Sequence, residues 1–256
     1  STFGHAFKNR FNIVAGRDKG KELKNLTELT LSGILYYISL VLNHLIEEGH
    51  FKKNHSKTLR ICLGGKASTL YKIVFEDIEE QERLSQMINK VTGNIFESVA
   101  VEFTSVPKHE VAYGLLVDKE GSTELFTDDK WQGTVLGEDV LIGKNKFGIV
   151  KDLDPEKPWR VKDLSHLNKF LKNLKSISKI PVNLTKKFQG DLEGKINAAL
   201  KDGQSKALDA IKDQQSVEGD DSMQELQKTT SILEPVFIQG LKQVIKEVTS
   251  GKLKLK

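Results

Sequence analysis

The 256-residue chain is 38% hydrophobic and 29% charged, ordinary material for a soluble globular protein and enough to bury a core in one large domain or two smaller ones. Its 39 Lys and Arg against 35 Asp and Glu leave a net charge of +4, a balance too even to mark a nucleic-acid binder, so any basic partner surface must be local. The single cysteine, Cys62, excludes an internal disulfide, and its place in an apolar run predicts a small buried side chain suited to a cytoplasmic protein.

The first 24 residues mix apolar and basic positions with Gly4, Gly16 and Gly20 and predict irregular structure. The chain opens on Ser1 in "STFGHAFKNRF" without a secretory pattern, as an excised fragment would. From Asn25 the pattern turns helical. Asn25 and Glu28 have capping-box spacing, apolar positions run almost all round from Leu26 to Ile46, and Gly49 suits a C-terminal stop. The most apolar part, "LSGILYYISLVLNHLI" at 31–46, is shorter than the roughly 20 residues a membrane span needs and carries Asn43 and His44, which predicts a core helix packed on all sides and no membrane partner.

"LRICL" at 59–63 reads as a short strand, and Gly64-Gly65 then permits a sharp turn or a close approach. A helix follows, with Ile73, Ile78, Leu84, Met87, Ile88 and Val91 near helical spacing, Glu79 and Arg83 as an i,i+4 pair, and Gly93 as its stop. A strand is predicted near Val99 to Phe103, then a break at Pro107 and an apolar segment containing Gly114. Residues 121–150, with "TVLGEDVLIGKNKFGIV", predict a small antiparallel β insertion. Beyond "DPEKPW" the chain reads as helical: Leu164, Leu167, Phe170, Leu171, Leu174 and Ile177 form one face, and a second helix runs from about Glu234 to Val248. Between them "KDGQSKALDAIKDQQSVEGDDS" reads as a polar connection that is mobile in part.

Recognisable catalytic constellations are missing from the sequence. None of His5, His44, His50, His55, His109 and His166 has the i,i+4 spacing of a helical metal pair, and no G-x-S-x-G, Walker A or G-x-G-x-x-G pattern occurs. The carboxylate pairs Glu79-Glu80 and Asp220-Asp221 read as solvated surface, as do Lys169, Lys172, Lys175 and Lys179 on their amphipathic helix.

The glycine pair remains. The long helix "LTLSGILYYISLVLNHLIEEG", the strand and turn "ICLGGKAS", a helix, a strand and "VPKHEVAYGLL" follow one another as in the C-terminal half of the ATPase domain shared by actin, the heat-shock chaperones and sugar kinases, and over residues 25–118 the chain resembles that superfamily. The resemblance implies an α/β fold of the actin-like, ribonuclease H-like class. It implies an ATPase C-terminal lobe over residues 1–160, with the β insertion at 121–150, and a helical C-terminal region over 161–256. In that superfamily the strand and glycine pair form the adenosine motif, which assigns Gly64, Gly65, Lys66 and Ser68 to the border of a nucleotide, ATP or ADP with Mg. A Cβ at either glycine would obstruct the ribose and α-phosphate. Lys66, Ala67 and Ser68 stand where chaperones usually place a small hydroxyl residue directly after the pair. The Asp-x-Gly-Thr loop and the second Asp-Gly loop of the superfamily are not in the chain, so the resemblance implies half of a clamp that needs an upstream phosphate-binding lobe as its partner. A client or filament protein is a further partner the superfamily suggests. The alternative reading is a non-enzymatic interaction module whose helical C-terminal region docks a partner protein.

Overall fold

The computed structural model describes residues 17–47, 58–64, 68–75, 78–103, 135–142, 145–149, 157–178, 186–214 and 235–250. The chain divides into two compact units, one made of Ser1–Asp128, Leu171–Val182 and Val248–Lys256 and the other of Asp129–Phe170 and Asn183–Glu247. The described residues are mostly helical, with a two-stranded parallel sheet in the first unit and a three-stranded antiparallel one in the second.

The first unit opens with α1, Arg17–Glu47, a 31-residue helix. It starts eight residues before Asn25, so Asn25 and Glu28 are interior and the expected capping box does not form. The reason is in the preceding residues: the Arg, Lys and Glu of "RDKGKELK" are good helix formers and carry the helix upstream despite Gly20. Leu29, Leu31, Leu35, Tyr36 and Ile46 are buried, whereas Ile34 is 40% exposed, so the helix is not covered on every side as its apolar composition predicted. Its stretch Glu22–Glu47 is, by length and composition, long and apolar enough to cross a membrane, contrary to the sequence expectation; 44% of its most apolar window is buried within the protein. Gly49, the expected stop, lies outside the described residues.

Strand β1, Thr58–Leu63, pairs in parallel with β2, Ser98–Phe103, in the register Leu59↔Val99 to Leu63↔Phe103. This is the neighbour relation expected of two strands joined through a helix. The start of the ladder is marked by Thr58 Oγ1 and Ser98 Oγ, 2.9 Å apart.

Between the strands the chain forms two helices where the pattern predicted one: α2, Ser68–Val74, and α3, Ile78–Val91. Phe75, fully buried, ends the first, and its carbonyl accepts a hydrogen bond from Gln81 Nε2 at 2.9 Å. Leu84, Met87 and Ile88 are buried as their spacing predicted, but Ile78 is 73% exposed. Arg83 meets Glu79 as expected, Nη2 to Oε2 at 3.8 Å, an exposed pair worth a few tenths of a kcal/mol. α3 packs on α1 and on β2, and α2 packs on α1, where the buried Tyr71 hydroxyl donates to Leu31 O at 3.3 Å.

The end of α3 is a Schellman turn: Asn94 N donates to Asn89 O at 2.8 Å and Gly93 N to Lys90 O at 3.3 Å. Gly93 has φ +74°, the left-handed conformation that a Cβ disfavours, and the nearest atom to such a Cβ is 3.9 Å away. Gly93→Ala should therefore cost about 1–2 kcal/mol through backbone strain and nothing through a clash; urea denaturation against the parent chain measures it.

In the second unit β3, Val135–Ile142, and β4, Asn145–Ile149, form the antiparallel pair expected of residues 121–150. The sheet is extended on the other side of β3 by β5, Trp159–Val161. α4, Ser165–Ser178, belongs to this unit up to Phe170 and to the first unit from Leu171; it buries Leu167, Phe170, Leu171 and Leu174, the predicted stripe, with Lys169 and Lys172 exposed on its other side. Ser165 N at its start donates to Asp163 Oδ1 at 2.8 Å. Partial burial alone would raise the Asp163 carboxyl, but the Ser165 hydrogen bonds and nearby Lys162 and His166 hold it below its usual range.

α5, Lys186–Gln214, corrects the polar-connection reading over residues 201–214. Leu192, Ile196 and Leu200 recur every fourth residue and are buried, which is one apolar stripe on an otherwise wet helix. Its polar residues have structural partners: Val161 N donates to Asn197 Oδ1 at 2.7 Å and Trp159 N to Gln204 Oε1 at 3.2 Å, so two side-chain amides serve the β5 edge. α6, Val236–Thr249, buries Val236, Phe237, Leu241 and Val244. At Gly240 an added Cβ would stand 2.7 Å from Leu167 Cδ2, so glycine is what lets α6 approach α4 here. Phe170 meets Phe237 edge to face with centroids 5.6 Å apart, and Lys195 Nζ reaches Glu247 Oε1 at 3.3 Å.

Candidate functional site

Parallel strands end on one side of their sheet, and ligands of open α/β sheets bind outside those carboxyl ends. Leu63 and Phe103 are register partners and the last residues of β1 and β2, so the two carboxyl ends lie side by side. Gly64 follows Leu63 directly and is exposed at this edge. Ser68 is the first residue of α2 and is buried at 2% exposure. The other two residues assigned to the nucleotide border, Gly65 and Lys66, lie outside the described residues, as does the "VPKHEVAYGLL" segment.

The strand pattern decides what else faces outward near the glycine. Leu59, Ile61 and Leu63 alternate with the exposed Arg60 and Cys62. Cys62 is therefore exposed, not buried as its apolar neighbours suggested, because the period of two places it on the outward face. On that face Arg60 Nε lies 3.7 Å from Glu102 Oε1, both well exposed and weakly stabilising.

A second group of polar residues lies between α1 and α3. Glu28, read as a capping residue, is 3% exposed in the middle of α1. Glu80, read as solvated surface, keeps only 15% of its side chain exposed and takes an ion pair from Lys24 Nζ at 3.5 Å, whereas Glu79 beside it is 85% exposed. A helix points consecutive residues about 100° apart, so one of the pair faces water and the other faces α1. The available sequence signal for this group was a lone carboxylate between Leu26 and Leu29 in an apolar helix. Burial, then the charge on Glu80, push the Glu28 carboxyl up to about 7 against the opposing effects of Lys24 and Arg83. Tyr71, on α2 against α1, is pushed up to about 12 by burial and stays neutral.

The chain matches no family profile, no curated protein and no solved structure. The functional reading therefore rests on its own residues. Among the described residues no group of three His, Cys, Asp or Glu side chains is gathered to hold a metal ion.

Proposed function

We propose that the first unit is the nucleotide-binding C-terminal lobe of an actin-like or chaperone-like ATPase and acts in the cytoplasm, with ATP or ADP resting on the turn after β1. The observation that carries this reading is the parallel pairing of β1 with β2, which sets an exposed Gly64 at the carboxyl edge of the strand pair. A glycine backbone at such an edge admits a ribose and phosphate to van der Waals distance and offers peptide groups for hydrogen bonding. Gly64, Gly65, Lys66 and Ser68 border the nucleotide in this reading, Ser68 from its buried place at the start of α2. Mg is carried with the phosphates, and its carboxylate ligands belong to an upstream phosphate-binding lobe in this reading.

A binding titration and a hydrolysis assay test it. Labelled ATP with Mg, titrated into the protein carrying its upstream lobe, is expected to saturate. The 256-residue chain alone is expected to give no Mg-dependent hydrolysis above a contaminant control, because the turn brings no general base or Mg carboxylate pair with it. Absence of nucleotide binding in the first experiment would leave the interaction-module reading in its place.

A further inference from the structure

We propose that Glu28 and Glu80 form a proton-binding site between α1 and α3, in which one proton held between two carboxylates joins the helices. Glu28 is 3% exposed and its Oε1 has no hydrogen-bond partner; Glu80 Oε2 is likewise buried without one. Both are acceptors only when ionised, so neither can satisfy the other. A single proton changes that: the carboxyl O–H of one becomes the donor the other lacks, and the pair carries one negative charge instead of two. No bond to carbon changes, and the proton comes from water.

The surrounding groups leave room for this proton and do not replace it. On α1 itself Lys24 is engaged with the other oxygen of Glu80, Oε1. On α3 Arg83 turns outward to the Glu79 carboxylate and carbonyl. α2 contributes Tyr71, whose hydroxyl donates to Leu31 O. Ser32, one turn beyond Glu28, is fully buried, and its Oγ has no partner. That is unlike Thr27, Thr30 and Ser39 of the same helix, which each donate to the carbonyl four residues back. An unpartnered hydroxyl one turn from an unpartnered carboxylate marks the same place as short of a donor–acceptor partner from two independent side chains.

The direction of the pH effect follows from the folded carboxyl lying near 7 against 4.5 as its ordinary value. The stabilisation from the proton is complete below 4.5, falls as pH rises from there, and is gone above about 7. Full linkage over that window corresponds to roughly a 300-fold fall in the folded-to-unfolded ratio, and exposure of the site would reduce it.

The test is a carboxyl-carbon NMR titration of the 13C-glutamate-labelled 256-residue chain, with Glu28→Gln and Glu80→Gln chains alongside. The Glu28 resonance is expected to titrate near neutrality in the parent and to move toward the ordinary carboxyl range in Glu80→Gln. Glu28→Gln, close in shape to the protonated acid, is expected to remove that resonance and flatten the stability profile between pH 4.5 and 7. A Glu28 resonance with an ordinary midpoint in the parent chain would overturn the proposal, whatever the variants do. So would an unshifted midpoint in Glu80→Gln, since the shared proton requires both carboxylates.

Discussion

On the proposed nucleotide reading, Gly64→Val, made in a chain joined to the proposed upstream lobe, should lower nucleotide affinity by roughly 100-fold or more, equivalent to about 2.7 kcal/mol, while the melting temperature moves by only a few degrees. The two expectations have separate causes. Gly64 is exposed directly after a strand, on the open carboxyl edge of the β1–β2 pair. Valine is also a strong strand former, which keeps the structural cost of the change small. If a nucleotide rests on the turn, the branched side chain occupies its path and affinity is lost in a folded protein. Isothermal titration with ATP and Mg, with thermal unfolding of the same sample, separates the effects. A folded variant with parental affinity would remove the nucleotide from this edge.

Phe170→Ala should be the most destabilising truncation in the second unit, at about 3–5 kcal/mol. Phe170 is fully buried and stands edge to face against Phe237 at 5.6 Å, so the change removes both apolar burial and a favourable ring pair. Collapse around the gap is restricted nearby, where Gly240 already lets the helices approach as closely as the Leu167 side chain permits. Hydrogen exchange resolved by residue is the suitable measurement, since a chain with two compact units need not unfold in one step. Amides of α4 and α6 should lose protection by the corresponding factor. Protection within about threefold of the parent would mean that the ring pair is not central to the packing of this unit.

How legible each element was depended on whether neighbouring residues or distant ones set it. The stop at Gly93 and the Glu79–Arg83 pair were readable because both are local, fixed by a turn or less of backbone. Part of the glycine edge was readable for a related reason: an apolar run followed by two glycines must leave its strand there. Glu28 was misread because a capping box needs only two residue types three apart, and the sequence alone cannot say where a helix of good formers begins. Glu80 was misread because nothing in "EDIEEQER" states which of two adjacent glutamates will meet another helix.

Hydrophobic spacing and turn residues alone determined most of the helices and strands, the β1 and β2 segments with the glycine between them, and the buried stripe of α4. These depend on the periods of 2 and 3.6 residues and on backbone conformations that few residues adopt. The tertiary structure decided which strand neighbours which and that Cys62 faces outward. It also decided that α5 continues through a stretch rich in Gly, Ser and Asp. Gln204 in that stretch accepts from the backbone of β5, as Asn197 does before it, and Leu192, Ile196 and Leu200 of the same helix find a core. Above all, it buried Glu28 and the Glu80 Oε2 on two helices that pack together. Residues 52 positions apart acquire a common environment only when α1 and α3 pack, and the low polarity of that environment changes what a carboxylate there does.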